Sequence, residues 1–382
     1  MAARRTGPRP PAGRDYRIGF IVEQTLGHVT HARTLQRNVS CDVDIRACWE
    51  PIAWETSGVA RHLPIFRSNW TVRAGFRARR AITRLAAEAR LDALFFHTQV
   101  PAVLSTTWIR RVPSIISLDA TPLQYDTFAE HYGHRVGPAW LERVKRELHR
   151  RCFRAARGLV AWSDWAKRGL TSEYGVPAEK IAVIPPGVDI GDWTCPTARR
   201  HRPGPVKILF VGGDLKRKGG PLLLEAFRSV RPLGAELHVV TPDPVEAEPG
   251  VFVYGRMPPN SPVLKQLYHE SDVFCLPTHG DCLPIVLAEA GAAGLALVAS
   301  DLGGIREIVE DGVTGCLVPA GDARAVASAL RALVVNPDLR LEQGARAAAV
   351  AALKFDAERN TRRLLDLLKR ACTRAPVAGA TA

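Results

Sequence analysis

Short apolar runs alternate with longer helical stretches along nearly the whole chain, and this alternation constrains the fold more than any other feature. In the first half the apolar runs end in polar or turn residues, as parallel strands do; they occupy residues 17–24, 42–49, 92–99, 113–122 and 158–163. Helical periodicity lies between them, for example at residues 71–90 and 139–156. Strands that alternate with helices form βαβ units, so the sequence predicts a parallel sheet with helices on both faces.

A second series of the same kind follows a Pro- and Arg-rich stretch that has no periodicity. Its predicted strands are 206–213, 235–241, 251–256, 272–278, 295–300 and 315–319, and its predicted helices are 222–230, 264–270, 285–294, 305–312 and 323–335. The fold class is therefore α/β, with two doubly wound Rossmann-like domains facing each other across a cleft at the carboxyl ends of their strands. The predicted boundaries are a disordered leader at 1–15, domains at 16–190 and 207–354, a linker at 191–206, a C-terminal helix at 355–372 and a disordered tail at 373–382.

The net charge of +14 lies almost entirely in the first half of the chain. Residues 1–190 contain 29 Lys and Arg against 17 Asp and Glu, a balance of +12, which leaves +2 for the remainder. A basic domain beside a nearly neutral one predicts a one-sided encounter with an anionic partner, such as a membrane surface or a nucleic acid.

The compartment expected from the sequence is the cytoplasm. The basic N-terminus lacks the apolar region of a secretory signal, and no stretch approaches the ~20 apolar residues that a spanning helix needs. The eight cysteines are scattered without a CxxC pair, which is typical of free thiols in a reducing compartment. No metal is expected: Asp42 and Asp44 resemble a metal-binding DxD pair, but we expect them inside a strand, far from the motifs described next.

The most informative stretch is residues 208–220, ILFVGGDLKRKGG. A buried strand ends in Gly212 and Gly213, and a basic cluster that includes Lys218 directly precedes a helix. Glycines permit close backbone approach, a helix N-terminus offers free N–H groups, and a lysine adds charge, which together suit a diphosphate. The alternative interpretation is a solvated basic turn.

A second informative stretch places carboxylates around two strand-to-helix turns. Asp281 lies in the loop before a predicted helix, and Glu289 lies eight positions later, about two turns into it. A carboxylate there can accept hydrogen bonds from two vicinal hydroxyls, which ribose and hexoses both present. Gly303 and Gly304 form the next tight turn, with Glu307 in the first turn of the helix predicted to follow.

In this order the two stretches resemble the donor domain of glycosyltransferase family 4, the retaining family of GT-B fold. The family's phosphate loop reads here Gly212-Gly213-x4-Lys218-Gly219, and its E-x7-E motif reads Asp281-x7-Glu289. The GGxxE and dGxtG motifs follow at 303–307 and 311–315, and 181–190 resembles the turn that enters the donor domain. The resemblance covers residues 16–370, loosely in the N-terminal half.

The resemblance implies a nucleotide-sugar donor, UDP- or GDP-linked, in the C-terminal domain, an acceptor in the N-terminal domain, and no metal or other cofactor. Lys218 would bind the diphosphate, Glu289 the ribose hydroxyls, and Asp281, with the backbone of 282–284 that includes Leu283, the transferred sugar. We expect Lys218 and Glu289 to contact only the ligand. The remaining implied donor-binding positions are Gly27 for the phosphate, Gly213 in the phosphate loop, and Gly255 and Met257 beside the nucleobase.

Four positions depart from the family pattern. Gly213 replaces the loop arginine, for which Arg217 is the nearest substitute, and Asp281 replaces a glutamate. Pro284 removes an N–H that could contact the sugar, and Asp119 replaces a histidine near the anomeric centre. Asp119, His97 and Asp281 are the candidate catalytic residues, although Asp119 and His97 could instead be structural or capping residues.

A basic stretch at 61–84 contains seven arginines and no acidic residue, interleaved with aromatic and aliphatic side chains. A basic amphipathic helix of this kind is typical of a membrane-surface element, and the resemblance favours that interpretation for lipid acceptors. The predicted membrane-surface residues are Trp70, Arg73, Phe76, Arg77, Arg80 and Arg84. A solvated arginine-rich face over an ordinary core stripe is the alternative.

The function that these observations predict is retaining transfer of a hexose from a nucleotide sugar to a lipid-linked or polysaccharide acceptor, at the inner face of the cell membrane. A soluble enzyme with a small acceptor, such as a sugar phosphate, is the first alternative. A binding protein with a degenerate donor site is the second, because of Gly213, Asp281 and Pro284. No nucleic-acid-binding motif accompanies the positive charge, so nucleic acid is not an expected partner.

Overall fold

The computed structural model describes residues 16–24, 27–54, 69–133, 135–196 and 203–373. The first of its two sheets has the strand order β2-β1-β3-β4-β5-β6, and the β1–β2, β1–β3 and β3–β4 pairs are parallel. Its strands are β1 (Tyr16–Gln24), β2 (Ile45–Ala53), β3 (Ala93–Phe96), β4 (Ser114–Leu118), β5 (Gly158–Ala161) and β6 (Ile181–Val183).

Helices connect these strands, as the alternating pattern predicts. They are α1 (His28–Val39), α2 (Trp70–Glu88), α3 (Gln99–Ala102), α4 (Thr106–Arg111), α5 (Pro122–Asp126), α6 (Ala139–Ala155), α7 (Asp164–Tyr174) and α8 (Ile190–Trp193). Side-chain caps begin several of them: Asn69 accepts from the Val72 N–H at α2, and Ser163 accepts from the Ala166 N–H at α7. Such caps satisfy backbone donors that a helix leaves unpaired at its first turn.

The second sheet is parallel throughout, in the order β12-β11-β10-β7-β8-β9. Its strands are β7 (Val206–Val211), β8 (Ala235–Val240), β9 (Val251–Tyr254), β10 (Val273–Leu276), β11 (Ala296–Ser300) and β12 (Gly315–Val318). Its helices are α9 (Gly220–Val230), α10 (Pro262–Glu270), α11 (Ile285–Ala292), α12 (Ala323–Val335) and α13 (Pro337–Lys354), and α14 (Ala357–Thr373) follows. The central strands β10 and β11 are buried throughout, which explains their apolar sequences, and Ile208, Leu209 and Phe210 of β7 are buried beside them.

By the density of contacts the chain divides into two compact units. The first contains residues 1–117, 148–160 and 361–382, and the second contains residues 118–147 and 161–360. This division differs from the sequence-predicted boundary near residue 190, because 118–147 and 161–190 group with the second sheet and the end of α14 groups with the first unit. The predicted leader at 1–15 and the tail from 374 onward lie outside the described residues.

Two local predictions are wrong. The helix predicted at 305–312 is a single 3₁₀ turn, Ile305–Glu307. Asp42 and Asp44 do not lie inside a strand: the Asp44 N–H donates to the Asp42 carboxylate at 3.1 Å in the turn before β2. Both carboxylates accept from the Lys369 ammonium of α14 at 2.9 Å. Within the described ranges, no helix combines the length and apolar character needed to cross a bilayer.

Candidate functional site

The predicted phosphate loop ends in an ion pair within the second unit. The Lys218 Nζ lies 2.7 and 2.8 Å from the two Asp281 oxygens, so the lysine at the start of α9 and the aspartate before α11 meet. Both side chains are largely buried. Lys218 therefore already has a partner within the protein. The expectation that it contacts only the ligand is wrong. An ammonium has three donor hydrogens, so the pair leaves it capacity to bind an added anion.

Arg217 is held inside the protein by several partners. Its NH1 lies 2.7 Å from the Gly280 carbonyl oxygen and 3.3 Å from both Asp281 Oδ1 and the Tyr132 hydroxyl, and its guanidinium lies 4.5 Å from the centre of the Tyr132 ring. Burial alone would lower the pKa of Arg217, but Asp281, Tyr132 and Asp214 raise it instead. In this arrangement Arg217 holds the Asp281 loop in place, and its role as the substitute for the loop arginine stays a prediction.

The start of α9 offers fewer N–H groups than the sequence suggested. Gly219 has φ +80°, and a Cβ there would lie 1.9 Å from the Pro277 carbonyl oxygen, so this turn requires glycine. The Gly220 N–H already donates to the Leu215 carbonyl at 2.7 Å, and Pro221 has no N–H. Cationic side chains must therefore contribute more to anion binding at this loop than the N–H groups at the start of α9 do.

The turn at Gly303 and Gly304 packs against the Asp281 loop. Gly303 has φ +56°, and its missing Cβ would lie 2.5 Å from the Asp281 carbonyl oxygen. The Gly304 N–H donates to the Cys282 carbonyl at 2.8 Å. Residues 22 positions apart in sequence thus form one packed structure, which fixes the position of the Asp281 loop.

Asp119, at the end of β4, belongs to the same cluster. It is half-buried, and its charge contributes to raising the pKa of the Tyr132 hydroxyl and of the Cys282 thiol, both of which are raised mainly by burial. The second unit therefore brings together Asp119, Tyr132, Arg217, Lys218 and Asp281, which include two of the three candidate catalytic residues.

Glu289 is buried on α11, as its apolar neighbours in the sequence indicate. It accepts a hydrogen bond from the Tyr268 hydroxyl of α10 at 3.2 Å, so it too has a partner within the protein. Burial raises the pKa of Glu289 to about 7, although the Tyr268 hydrogen bond and the charge of Lys265 oppose that rise. Tyr268 is fully buried, stacked on Phe274 and edge-on to Trp193.

The other predicted donor-binding positions in the second unit differ in exposure. Gly213 is exposed, and a Cβ added there would meet nothing within 4 Å. Gly255 is also exposed and open, Met257 packs partly buried against the core, and Leu283 is buried in that core. Leu283 can therefore offer only backbone groups to a ligand.

His97 and Gly27 belong to the first unit, where His97 forms a cluster with two histidines of α1. The His97 Nε2 lies 2.7 Å from the His31 Nδ1, and the His28 ring is edge-on to His97 at 5.4 Å. Burial lowers the pKa of His97 well below its ordinary value, and burial and His28 lower that of His31 to about 3. With lowered pKa values, the His97 and His31 imidazoles are neutral at physiological pH and can donate or accept hydrogen bonds. Gly27 is the exposed N-cap of α1.

The predicted membrane-surface residues divide into two groups. Arg73 is buried, with its guanidinium over the Trp54 and Trp70 rings at 5.3 and 5.5 Å, so its assignment to the surface is wrong. The Trp70 Nε1 donates to Glu23 at 2.8 Å, which makes it part of the same internal packing. The others lie toward solvent on α2: Phe76, Arg80 and Arg84 are exposed, and Arg77, half-buried, donates to the Ala53 carbonyl.

Sequence reasoning missed Tyr132, Tyr268, His28 and His31. The histidines were visible in the turn that contains Gly27, whereas Tyr132 lies in a stretch without a motif and Tyr268 reads as an ordinary core residue of α10. Together, the cluster in the second unit can bind an anion at Lys218, beside a carboxylate that accepts hydroxyl donors.

Two family descriptions match the chain. "Glycosyltransferase Family 4" matches residues 28–192, and "Glycosyl transferases group 1" matches residues 205–336. The "D-inositol 3-phosphate glycosyltransferase" of Xylanimonas cellulosilytica is 32% identical over 58% of this chain and 59% of its own length. The "Phosphatidyl-myo-inositol mannosyltransferase" of Mycobacterium leprae is 34% identical over 52% of this chain and 55% of its own length. The chain thus spans little more than half the length of these curated relatives.

Solved structures share the fold at low sequence identity. The sucrose-phosphate synthase of Thermosynechococcus elongatus has a TM-score of 0.73 at 16% identity and covers 94% of this chain and 99% of its own. Anabaena Alr3699/HepE, solved with UDP, has a TM-score of 0.69 at 16% identity and covers 93% of this chain and all of its own. With the two parallel sheets, these likenesses confirm the predicted two-domain α/β fold of GT-B type.

Proposed function

Because this chain belongs to glycosyltransferase family 4, we propose that it transfers a hexose, with retention, from a nucleotide sugar to a lipid-linked or polysaccharide acceptor. The observation that carries the proposal is the pairing of Lys218 with Asp281 at the glycine turn of the phosphate loop. The Lys218 ammonium lies 2.7 Å from Asp281 Oδ1, so a cation that suits a diphosphate stands beside a carboxylate that suits sugar hydroxyls.

Each residue of the cluster has a role in this proposal. Lys218 stabilises the negative charge that develops on the leaving diphosphate, and Asp281 accepts hydroxyl hydrogen bonds from the transferred sugar. Glu289 accepts from the ribose hydroxyls, Tyr268 orients Glu289, and Arg217 holds the Asp281 loop in place. Asp119 stands close to Tyr132 and Cys282 and takes the position near the anomeric centre.

In the proposed step the bond from the sugar C1 to the diphosphate oxygen breaks, and a bond from C1 to the acceptor oxygen forms on the same face. The acceptor proton passes to the leaving diphosphate, so no separate protein base is needed. The protein contributes positioning and charge stabilisation.

For the acceptor, the names of the relatives favour an inositol phosphate. One relative is named for the soluble D-inositol 3-phosphate and another for the lipid phosphatidyl-myo-inositol, and both acceptors present ring hydroxyls beside a phosphate. We propose the lipid-linked form first, at the inner face of the cell membrane, because residues 1–190 carry the +12 balance and α2 exposes Phe76, Arg80 and Arg84. The soluble acceptor is the second candidate, and the D-inositol 3-phosphate relative favours it.

Two measurements test the proposal in sequence. Thermal shift against UDP, GDP and ADP and their hexose conjugates identifies the donor, because only a ligand that binds the folded state raises its melting temperature. Release of the nucleoside diphosphate is then followed with phosphatidylinositol vesicles, with soluble inositol phosphate, and without acceptor. Stabilisation by no nucleotide sugar would contradict the proposal, and turnover only with the soluble acceptor would select the second candidate.

The substitution Lys218→Ala tests the site itself. Losing one charge-assisted contact should weaken donor binding about 10- to 150-fold, or about 1.5–3 kcal/mol. Because Asp281 also loses a partner, the melting temperature should fall, so affinity is measured well below the transition. Lys216→Ala is the matched control, since Lys216 is an exposed lysine of the same loop. Equal donor affinity in the two variants would rule out the assigned phosphate site.

A further inference from the structure

Helix α6 exposes a row of large apolar side chains. Trp140 is 63% exposed, Val144 49% and Leu148 39%, and Val136, just before the helix, is 54% exposed. Large apolar side chains exposed singly are ordinary on protein surfaces, but a contiguous row marks an interaction site.

The row follows from the helical repeat. Side chains four positions apart lie on one face of a helix, so Trp140, Val144 and Leu148 form a single stripe. The buried residues of this helix, His149, Cys152 and Phe153, all lie in its last two turns, beyond the exposed row. The helix thus packs into the protein near its C-terminal end and exposes apolar side chains to solvent over its first half.

Positive charge borders the stripe. Helix α6 contains six Lys and Arg and two Glu. Arg143, Arg151 and Arg154 are exposed, and at about 100° per residue Arg151 lies between Trp140 and Val144, with Arg154 and Arg143 along one side of the stripe. An exposed tryptophan, aliphatic neighbours and flanking arginines are the composition of helices that lie in the headgroup region of anionic bilayers.

We propose that the exposed stripe of α6 docks on an anionic lipid surface, with Trp140 at the boundary of headgroups and acyl chains. The arginines then meet lipid phosphates, while Trp140, Val144 and Leu148 leave water. A second copy of the chain fits less well, because a symmetric dimer through this patch brings the same arginines together. The inference extends the proposed function but does not depend on catalysis, since lipid binding is measured without donor or acceptor.

The test uses the full chain and co-sedimentation with vesicles. Phosphatidylcholine vesicles with about 30% phosphatidylglycerol should bind the protein, and phosphatidylcholine alone should bind it weakly. The triple variant Trp140→Ser, Val144→Ser, Leu148→Ser should lose at least about tenfold in apparent vesicle affinity. The control variant Val263→Ser, Val335→Ser, Leu353→Ser removes three well-exposed apolar side chains from other helices and should bind like the wild type.

A second readout locates the insertion. Brominated lipids quench tryptophan emission only at the depth of the acyl chains, so part of the quenching seen in the wild type should disappear in Trp140→Leu, which keeps an apolar side chain at that position. Donor-nucleotide thermal shift should be the same in all variants. If no nucleotide sugar shifts the wild type while its vesicle binding is intact, that result counts against the proposed function and not against this surface.

Three results would overturn the proposal. They are unchanged vesicle binding by the triple variant, equal binding to neutral and anionic vesicles, and quenching unaltered by Trp140→Leu. Concentration-dependent dimerisation of the wild type that the triple variant abolishes would assign the stripe to a second copy of the chain instead.

Discussion

Glu289 shows how burial changes what a single carboxylate can do. Its ordinary pKa would keep it ionised at neutral pH, but burial raises that pKa to about 7, within the physiological range. The charged form accepts hydrogen bonds from two hydroxyls, whereas the protonated form has a donor in place of one acceptor site. Tyr268 of α10 donates to the carboxylate, and Lys265 on the same helix also favours its charged form.

We therefore predict that donor affinity rises with pH through about 7. From about pH 6 to about pH 8 the ionised fraction of a group with this pKa grows about tenfold, so affinity should improve by up to about that factor. The Glu289→Gln variant should lose this pH dependence and bind the donor weakly at the higher pH. Its pH profile also shows any contribution from titration of the ligand itself. Tyr268→Phe should shift the midpoint to higher pH. Isothermal titration with the stabilising nucleotide checks this, and parallel profiles in wild type and Glu289→Gln would contradict it.

The same raised pKa has the opposite effect on folding. In the unfolded chain Glu289 ionises near its ordinary value of 4.5, while in the folded protein it stays protonated to about pH 7. Stability contributed by the buried neutral group is therefore present below about pH 4.5 and lost progressively as the pH rises toward 7. Binding and folding thus make opposing demands on this side chain.

At the scale of the elements, sequence patterns predicted the structure correctly where an apolar pattern is compatible with only one kind of element. The strands β10 and β11 are uninterrupted apolar runs, and helices α2 and α6 end within about two residues of the prediction. The predicted helix at 305–312 failed because Ile305, Ile308 and Val309 have helical spacing although they are buried in irregular backbone, and Gly312, with φ +72°, turns the chain toward β12. Helix α13 was missed although Asn336 and Pro337 mark its start.

Site residues were predictable only where a motif names them. Lys218, Asp281 and Glu289 could be found from spacing, but their partners Tyr132 and Tyr268 come from distant segments and leave no local pattern. Arg73 was misplaced for the same reason. Its guanidinium lies over Trp54, which follows β2, and over Trp70, which begins α2, and only the folded chain brings the two rings together.

Glu307 links two elements through helix electrostatics. Its carboxylate accepts from the backbone N–H groups of Asp164 and Trp165 at 2.7 and 2.8 Å, at the positive end of α7. We predict that Glu307→Gln lowers the free energy of unfolding by about 1–2 kcal/mol, because a neutral amide replaces a charge-assisted acceptor. Urea denaturation measures this. Glu342→Gln, which removes an exposed partner of Arg346, should change stability by less than about 0.5 kcal/mol. Equal losses would show that α7 does not depend on this carboxylate.

At the scale of the whole molecule, metal independence is the prediction that follows from where the carboxylates are engaged. Asp42 and Asp44 both bind the Lys369 ammonium, and Asp281 binds Lys218, so each of these acids has a cation from the chain itself. We expect EDTA to leave the rate of transfer unchanged. A loss of activity in EDTA that added Mg²⁺ or Mn²⁺ restores would contradict this prediction. It would indicate a metal ion at the donor diphosphate beside Lys218.

Residues 361–373, the end of α14, group with the first unit although they are the last described residues of the chain. Leu364, Leu365 and Leu368 are buried, and Lys369 reaches back to Asp42 and Asp44. During synthesis, which runs from the N-terminus, the first unit therefore cannot be finished when its own strands leave the ribosome. The first unit can be completed only after the whole second unit has been made. Until then part of the apolar surface of the first unit stays exposed. An early stop anywhere before α14 would damage the half of the protein that was translated first.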